Sequence, residues 1–347
     1  MSTDSPANFD VSPLLRAGDQ PGVAEFLRRR GWIDRDETLH ACEKAGEGNM
    51  NLTLRVTTDR RSVVLKQSRP WVEKYPQVEA PADRILFEHR FYQRAAAIED
   101  VARLMPEVLA IDAGSYAMLL EDLGEASDFT TLYEGGSIRD DEIDALAAWA
   151  ASLHEATRGA ADPAFANRAM RSLNHQHIFV LPLSEGLPVA LDELEPGLGA
   201  AAESIRGRPA FVDAVERLGR VYLDDGPCVL QGDYYPGSWL RTTRGVRVID
   251  PEFCFFGPPE FEMAVSLAHL ALAGQPWSKA AHWLEAYRAG GGRPLDEDLL
   301  AGFAGVEVMR RIIGLAQLPL PPHDGRRIDL LQRAEAAVTE RDLEALW

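Results

Sequence analysis

The sequence has few cysteines, no long apolar run and fewer basic than acidic residues. Its 347 residues include only three cysteines, Cys42, Cys228 and Cys254, with no C-x-x-C pair. This count argues against a disulfide or zinc framework and is typical of a reducing compartment. No apolar stretch reaches the roughly 20 residues that a membrane-spanning helix needs. The N-terminus also lacks the basic and apolar regions of a signal peptide. We therefore expect a cytoplasmic protein that does not bind membranes.

The charge balance excludes one class of partner. Lys and Arg number 36 against 54 Asp and Glu, which gives a formal net charge of −18 at pH 7. Such a chain is not expected to hold nucleic acid or an anionic membrane through bulk charge. A local basic site for a small anionic ligand remains compatible with it. The hydrophobic fraction of 46% is enough for substantial cores, and the length corresponds to two or three compact units at about 100–200 residues each.

Hydrophobic patterning divides the chain into a strand-rich N-terminal part and a mainly helical C-terminal part. We predict a helical start over about the first 35 residues, strands at 51–56, 62–67 and 116–120, and a helix at 83–97. Further on, we predict a helix from about 140 to 159, an irregular segment at 184–210, strands at 228–230 and 246–249, and helices from 261 onward. The expected fold class is α+β with two lobes, residues 1–122 and residues 123–347.

Two acidic blocks in the C-terminal part each follow an apolar strand. Asp233 lies in the block QGDYYPGS after the strand at 228–230, and Asp250 and Glu252 follow the strand at 246–249. If these strands form a hairpin-like pair, their carboxylates converge on one cleft. Phosphoryl transfer uses such a set, because one carboxylate accepts the proton of the attacking hydroxyl while others hold Mg²⁺.

The N-terminal part carries groups suited to phosphate binding. Gly46, Gly48 and Asn49 lie in a glycine-containing turn, Lys66 is on the strand that follows, and Glu88 is in the next helix. A glycine turn brings backbone N–H groups close to phosphates, a strand lysine reaches them, and a helix glutamate can hold that lysine. Each feature alone is weak evidence, but their order along the chain is much more specific.

These segments resemble the aminoglycoside-phosphotransferase and choline-kinase superfamily, and within it the 5-methylthioribose kinases. The resemblance rests on GNMNLTLRV in the glycine turn, QGDYYPGSWL, IDPEFCFFGP and MRRIIGLA, and it spans about residues 45–320. It implies a protein-kinase-like fold with nucleotide bound between two lobes, and ATP and Mg²⁺ as cofactors. It also implies transfer of the γ-phosphoryl of ATP to the 1-hydroxyl of 5-methylthioribose, a step of methionine salvage.

The resemblance assigns a role to each matching residue. Asp233 becomes the catalytic base, and Asp250 and Glu252 bind Mg²⁺ with Ser238 close to the metal. The ATP-binding set consists of Gly46, Gly48, Asn49, Asn51, Lys66, Glu88 and the backbone of Glu121 and Leu123. The acceptor pocket consists of Asp233, Tyr235, Arg310 and Arg311. The related sugar kinases also suggest a homodimer.

The paired arginines have a second interpretation from helix geometry. Adjacent helical residues project about 100° apart, so at most one of Arg310 and Arg311 is expected to face a given pocket fully. Both could instead pair with a local acid such as Glu307. The resemblance favours the pocket.

Some positions depart from the family pattern and leave the acceptor open. Gln231 stands where the family has His, Tyr234-Tyr235 where it has Leu-His, and Gln317 where methylthioribose kinases tend to have His. A glutamine can keep a structural hydrogen bond in place of an imidazole, whereas Tyr235 could reshape the sugar pocket. Two alternatives therefore stay open. One is a kinase for another small alcohol, such as a different deoxypentose, an aminoglycoside or a choline-like amine, and the other is a nucleotide-binding regulator without catalysis.

Overall fold

The structure is a computed structural model that describes residues 13–46, 48, 50–321 and 325–347. The described residues divide into two compact units, the first made of those within 1–93 and 106–124 and the second of those within 94–105 and 125–347. Across the described residues, no helix is both long and apolar enough to cross a membrane.

The first unit is built on a five-stranded antiparallel sheet with strand order β1-β2-β3-β7-β6. Its elements are α1 (Gln20–Arg29), β1 (Leu39–Lys44), β2 (Leu52–Thr58), β3 (Ser62–Gln67), β4 (Trp71–Val72), β5 (Tyr75–Glu79), α2 (Arg84–Ala95), β6 (Val108–Asp112) and β7 (Ala117–Glu121). The predicted strands at 51–56, 62–67 and 116–120 and the helix at 83–97 are confirmed.

Alternation of apolar side chains explains this sheet. Leu52, Leu54 and Val56 of β2 are buried in one core with Phe26 and Leu27 of α1, because every second side chain of a strand points to the same face. Of the predicted helical start over about the first 35 residues, positions 1–12 lie outside the described residues, and α1 covers Gln20–Arg29. It begins after Asp19, whose side chain accepts a hydrogen bond from the Gly22 N–H at 3.0 Å. It ends before Gly31, whose φ of +67° does not continue a helix.

The second unit is mainly helical. Its helices are α3 (Glu99–Ala102), α4 (Asp140–Ala156), α5 (Arg168–His175), α6 (Leu191–Leu194), α7 (Leu198–Arg206), α8 (Pro209–Leu223), α9 (Pro259–Leu272), α10 (Trp277–Ala289), α11 (Glu297–Ile313) and α12 (Arg326–Glu340). Its strands are β8 (Ala126–Asp128), β9 (Cys228–Leu230), β10 (Trp239–Thr242), β11 (Gly245–Val248) and β12 (Phe255–Gly257).

Helix α9 forms the centre of the second unit, because all of its side chains from Pro259 to Leu272 are buried. A helix that is buried all round needs partners on every side, and α11 packs along it. Two polar residues of α9, Glu262 and His269, are seven positions apart and therefore lie on the same face.

Two sequence predictions about this unit are wrong. The strands that precede the acidic blocks do not pair with each other: β9 pairs with β12, and β11 pairs with β10. Pairing partners depend on non-local packing, which the local pattern does not contain. The segment 184–210, expected to be irregular, holds α6, α7 and the start of α8, since helix-forming residues occupy the stretches between its Pro and Gly breaks.

Candidate active site

A buried ion pair in the first unit joins the predicted strand lysine and helix glutamate. The Lys66 Nζ on β3 donates to the Glu88 Oε1 on α2 at 2.8 Å, and the two side chains are 2% and 0% exposed. A lysine held so closely by a carboxylate has a fixed direction, whereas an exposed lysine is mobile. The structure thus brings together the two residues that the sequence associated with phosphate binding.

The glycine turn lies between β1 and β2. Gly46 has a φ of +148°, a backbone conformation that favours glycine, and a side chain added there would meet no atom within 4 Å. Gly46, Gly48 and Asn51 line a small pocket with Lys44, Leu52, Thr53 and Glu73. The Asn51 side chain is held, because its Oδ1 accepts the Ser68 hydroxyl at 2.9 Å. Asn49 lies outside the described residues.

A buried arginine holds the glycine turn through hydrogen bonds to main-chain carbonyls. The side chain of Arg84 is 0% exposed and donates to the main-chain carbonyls of Met50, Arg69 and Pro81 at 2.6 to 2.7 Å. Its guanidinium therefore ties the turn at Met50 to the start of α2.

The predicted adenine-binding backbone begins at Glu121, the last residue of β7. The Glu121 N–H donates to the Glu107 carbonyl at 2.9 Å. Between Glu121 and Leu123, Asp122 accepts the Ser62 hydroxyl at 2.6 Å and pairs with Arg55 at 3.0 Å. Burial opposes ionisation of Asp122, but these hydrogen bonds and the Arg55 charge outweigh it and lower its pKa. The segment is thereby held in a defined conformation.

In the second unit, Gln231 joins the two acidic blocks. Its Nε2 donates to the carbonyls of Ile249 and Asp250 at 2.9 and 3.2 Å, and its Oε1 accepts the Asp233 N–H at 2.7 Å. The two blocks are neighbours although β9 and β11 do not pair. The amide thus makes three hydrogen bonds at the position where the family has an imidazole.

Gly232 allows this close approach. Its φ is +89°, and a Cβ at this position would lie 2.2 Å from the carbonyl oxygen of Phe253. The Gly232 N–H donates to the Glu262 Oε2 at 3.0 Å. The other oxygen, Glu262 Oε1, lies 3.0 Å from His154 Nε2, and the other nitrogen of His154 lies 3.0 Å from the Tyr287 hydroxyl. We call these three residues, Tyr287, His154 and Glu262, the Glu262 triad.

Asp233 lies beside both predicted pocket arginines. Its Oδ1 is 3.7 Å from the Arg310 Nη2 and 4.0 Å from the Arg311 Nη2. Burial raises the pKa of Asp233 to about 6, with Glu307 and Glu252 adding to the effect while the two arginines oppose it. A carboxylate with this pKa is ionised at neutral pH and suited to accept a proton.

Both arginines face Asp233, so the expectation that only one could do so is wrong. Each also pairs with Glu307, the Arg310 Nε with Oε2 at 2.5 Å and the Arg311 Nε with Oε1 at 2.8 Å. Long arginine side chains can converge from positions 100° apart, and Glu307 is three and four residues away on the same helix face. The pairing with Glu307 and the position beside Asp233 therefore hold together.

A second buried chain reaches Glu307. The Tyr133 hydroxyl contacts His269 Nδ1, and His269 Nε2 lies 3.0 Å from Glu307 Oε1. Burial lowers the pKa of His269 to about 4, so its imidazole is neutral at pH 7. For Glu307, burial opposes ionisation, but the charges of Arg310 and Arg311 outweigh it and hold its pKa well below the usual range. We call Tyr133, His269 and Glu307 the Glu307 triad.

The candidate metal ligands follow β11. Asp250 has a φ of +57° and precedes a 3-10 turn at Pro251–Phe253 that contains Glu252. Asn167 stabilises this turn, because its Nδ2 donates to the carbonyls of Glu252 and Cys254 at 2.9 and 3.0 Å. Ser238 is buried, and its hydroxyl donates to the Asp233 carbonyl at 2.8 Å. In the part of the chain that the structure describes, no group of three His, Cys, Asp or Glu residues could hold a metal ion.

The residues that depart from the family pattern have different surroundings. Tyr234 is buried, donates its hydroxyl to the Leu146 carbonyl at 2.9 Å and stacks on Trp149, so it belongs to the core. Tyr235 is partly exposed, and its ring centroid lies 5.0 Å from the Arg311 guanidinium carbon. The Gln317 amide caps the end of α11 by donating to the carbonyls of Ile312 and Gly314. Tyr235 alone of these three contacts an arginine of the candidate pocket.

Sequence reasoning missed most of the buried polar residues behind the site. Glu307 was considered only as an alternative partner for the arginines, and Tyr133, His154, Glu262 and His269 were not singled out. The spacing of Glu262 and His269 on a mostly apolar helix was the available signal, since buried polar groups need partners.

Comparison with known proteins finds a matching family, distant relatives and similar folds. A sequence profile described as the phosphotransferase enzyme family (APH) matches residues 41–305. Methylthioribose kinase of Exiguobacterium sibiricum is 25% identical over 343 residues, which cover 84% of either chain. That of Geobacillus kaustophilus is 27% identical over 86% of this chain and 85% of its own.

Among solved structures, LicA in complex with AMP has a similar fold. Its TM-score is 0.57 at 14% identity, and the match covers 94% of this chain and all of LicA. The N-terminal antiparallel sheet followed by a mainly helical region therefore belongs to a known α+β fold, as the sequence predicted.

Proposed function

The chain belongs to the phosphotransferase enzyme family, and from this membership we propose that it is an ATP-dependent kinase that phosphorylates a hydroxyl of a small sugar. Membership makes it a small-molecule phosphotransferase, and kinases of this family use ATP. The finer assignment is the 1-hydroxyl of 5-methylthioribose, because methylthioribose kinases are relatives over most of the chain. The reaction then belongs to methionine salvage.

The observation that carries this proposal is the position of Asp233 beside Arg310 and Arg311. A carboxylate with a pKa near 6 suits a general base at neutral pH. The two guanidinium groups, 3.7 and 4.0 Å away, are suited to donate hydrogen bonds to sugar hydroxyls. They also disfavour a cationic acceptor such as choline or an aminoglycoside, because like charges repel.

In the proposed reaction, the acceptor oxygen forms a bond to the γ-phosphorus as the bond from that phosphorus to the bridging oxygen of ADP breaks. Asp233 accepts the hydroxyl proton. Lys66, fixed by Glu88, and the backbone of Gly46 and Gly48 would bind ATP phosphates. The backbone of Glu121 and Leu123 would bind adenine. Positioning and charge neutralisation supply most of the rate enhancement in such reactions.

The carboxylates after β11 suit Mg²⁺. Asp250 and Glu252 offer the hard oxygen donors that this ion takes, and Mg²⁺ commonly binds through one or two carboxylates together with water and phosphate oxygens. A cluster of three protein ligands is therefore not required. Bound Mg²⁺ supplies charge neutralisation at the phosphates. The Ser238 hydroxyl donates its hydrogen to the Asp233 carbonyl. Only its oxygen could therefore contact the metal ion.

A second candidate acceptor rests on Tyr235. Its phenol lies against Arg311, at a position where the family pattern has no aromatic residue of this size. A ring there narrows the space beside the arginines and favours a smaller neutral sugar, such as a deoxypentose without the methylthio group.

The test is Mg²⁺-dependent ADP release from ATP with 5-methylthioribose, 5-deoxyribose, ribose, choline and kanamycin as acceptors. We expect turnover with 5-methylthioribose and a loss of 10²-fold or more in kcat for Asp233→Asn, with ATP binding retained. Asp213→Asn, the same change at an exposed position of α8, is the control and should retain activity.

Each other result has a defined meaning. Turnover with 5-deoxyribose alone would move the acceptor and implicate Tyr235. ATP binding without turnover on any acceptor would favour a non-catalytic nucleotide-binding protein. Near-normal activity of Asp233→Asn would refute the assignment of the base.

A further inference from the structure

The Glu307 triad explains how the adjacent, like-charged side chains of Arg310 and Arg311 can both be held beside Asp233. Glu307 contacts the Nε of each arginine, at 2.5 and 2.8 Å, while their Nη2 atoms lie nearest Asp233. Each guanidinium group is therefore bound to Glu307 at its Nε, and its Nη2 lies toward Asp233. Across the described residues, the carboxylates within 4.0 Å of both groups are Glu307 and Asp233.

Glu307 and Asp233 thus compete for the same cations. The contacts with Glu307 are short, and those with Asp233, at 3.7 and 4.0 Å, are too long for hydrogen bonds. If Glu307 lost its charge, the two buried guanidinium groups would need another counter-ion, and Asp233 is the nearest. Direct pairing would then occupy the carboxylate that has to accept a proton and would close the space beside it.

Two other elements hold Glu307 in place. His269 comes from α9, and Tyr133 comes from a 3-10 turn at Thr130–Glu134. With a neutral imidazole, the Nε2–H donates to Glu307 and Nδ1 accepts the Tyr133 hydroxyl. The three side chains are at most 1% exposed, so Glu307 cannot swing toward solvent and release the arginines.

We propose that Glu307, supported by His269 and Tyr133, is the positioning residue that keeps Arg310 and Arg311 available to the acceptor and prevents them from pairing directly with Asp233. This inference rests on the proposed function, because it deepens the role of the acceptor pocket. It assigns a role to three residues that do not themselves touch the acceptor.

The test measures KM for both substrates in Glu307→Gln, His269→Gln and Tyr133→Phe, with whichever acceptor the wild type phosphorylates. We expect the acceptor KM to rise about tenfold or more in Glu307→Gln and less in His269→Gln. In Tyr133→Phe, which removes one hydroxyl, we expect a rise of about twofold to fivefold. The KM for ATP should stay within about twofold throughout.

The Glu262 triad provides a matched control. His154→Gln makes the same chemical change in an equally buried Tyr–His–Glu arrangement, but that arrangement ends at the Gly232 N–H and does not reach the arginines. It should lower kcat and leave the acceptor KM unchanged. If His154→Gln and His269→Gln raise the acceptor KM equally, the positioning role is refuted.

A double-mutant cycle shows whether Glu307 acts through the arginines. In an Arg310→Ala, Arg311→Ala background, Glu307→Gln should add less than twofold to the acceptor KM, because nothing remains for Glu307 to position. Additive effects would overturn the proposal, as would a folded Glu307→Gln protein with an unchanged acceptor KM. If Glu307→Gln fails to fold, an unchanged acceptor KM in Tyr133→Phe would overturn it.

A spectroscopic readout separates this proposal from the proposed function. In the wild type, nitrogen NMR should show His269 as the neutral Nε2–H tautomer from pH 5.5 to 8 and a slowly exchanging Arg311 Nε–H. The Arg311 signal should be lost in Glu307→Gln. Absence of these signals in the wild type overturns the positioning role even if the enzyme is active. Their presence in a protein that phosphorylates no acceptor overturns only the kinase assignment.

Discussion

At the scale of single residues, Gln231 illustrates how one amide can organise a site. It hydrogen-bonds to the carbonyls of Ile249 and Asp250 and to the Asp233 N–H. A neutral imidazole has one donor and one acceptor, whereas this amide uses two donors and one acceptor. Gln231 therefore connects the two acidic blocks of this chain.

The pKa of Asp233 predicts the pH dependence of activity. Because the carboxylate must be ionised to accept a proton and its pKa is raised to about 6, kcat/KM should fall tenfold per pH unit below about pH 6. A pH profile of ADP release at subsaturating acceptor would show this limb. A limb near pH 4 would mean that Asp233 is not the group that titrates.

Some of these residues could be predicted from sequence and others could not. Asp233 and Asp250 follow strands that short apolar runs reveal, so their strand-end positions could be read locally. The Glu307 triad could not be predicted, because Tyr133 and His269 are 136 positions apart and His269 and Glu307 are 38 apart. Contacts over such distances arise from the packing of α9 against α11 and against the 3-10 turn at Thr130–Glu134, which no local pattern encodes.

At the scale of elements, the same limit separates the strands from their pairing. Alternation located β2, and a run of β-branched residues located β3. The two strands are neighbours joined by a tight turn, and their antiparallel pairing followed directly. For β9 and β11 the assumption that sequential strands pair was wrong, because β12 supplies the partner of β9. The acidic blocks are instead connected through Gln231 and through the close contact of Gly232 with Phe253.

The turn after β9 gives a prediction with an internal control. Gly232 and Gly245 have φ values of +89° and +90°, but a Cβ would clash with the Phe253 carbonyl oxygen at 2.2 Å only at Gly232, whereas Gly245 has nothing within 4 Å. Both alanine variants should lose about 1 to 2 kcal/mol from backbone strain. Gly232→Ala should lose more stability and nearly all activity.

Denaturant unfolding and ADP release would measure both effects. Gly245→Ala should remain active, since it changes only an exposed hairpin turn. Equal stability losses in the two variants would show that the backbone at Gly232 can move away from Phe253, contrary to the packing described.

At the scale of the whole molecule, two buried groups have opposite effects on stability as pH falls. His269 stays unprotonated in the folded state to about pH 4, while an unfolded histidine takes up a proton near 6.5, so stability is lost between these values. Asp233 is protonated near pH 6 when folded but near 3.8 when unfolded, so stability is gained over that range. Each contribution is about 3 kcal/mol, and they largely offset each other.

Removing one of the two should expose the other. Between pH 7 and pH 5 we expect Asp233→Asn to lose about 1 kcal/mol more unfolding free energy than the wild type, because the stabilising protonation of Asp233 is gone. His269→Gln should show the opposite change in slope. Denaturant titrations at several pH values would measure this, and parallel curves for the three proteins would contradict the assigned pKa values.

The burial of all three cysteines has a practical consequence for spectroscopy. Cys42, Cys228 and Cys254 are each at most 2% exposed, and burial raises the pKa of the Cys42 and Cys228 thiols, so little thiolate forms near neutral pH. A maleimide dye should therefore react slowly with the native protein. A cysteine introduced at the exposed Thr243, in the turn between β10 and β11, would accept a single label without prior removal of the natural thiols.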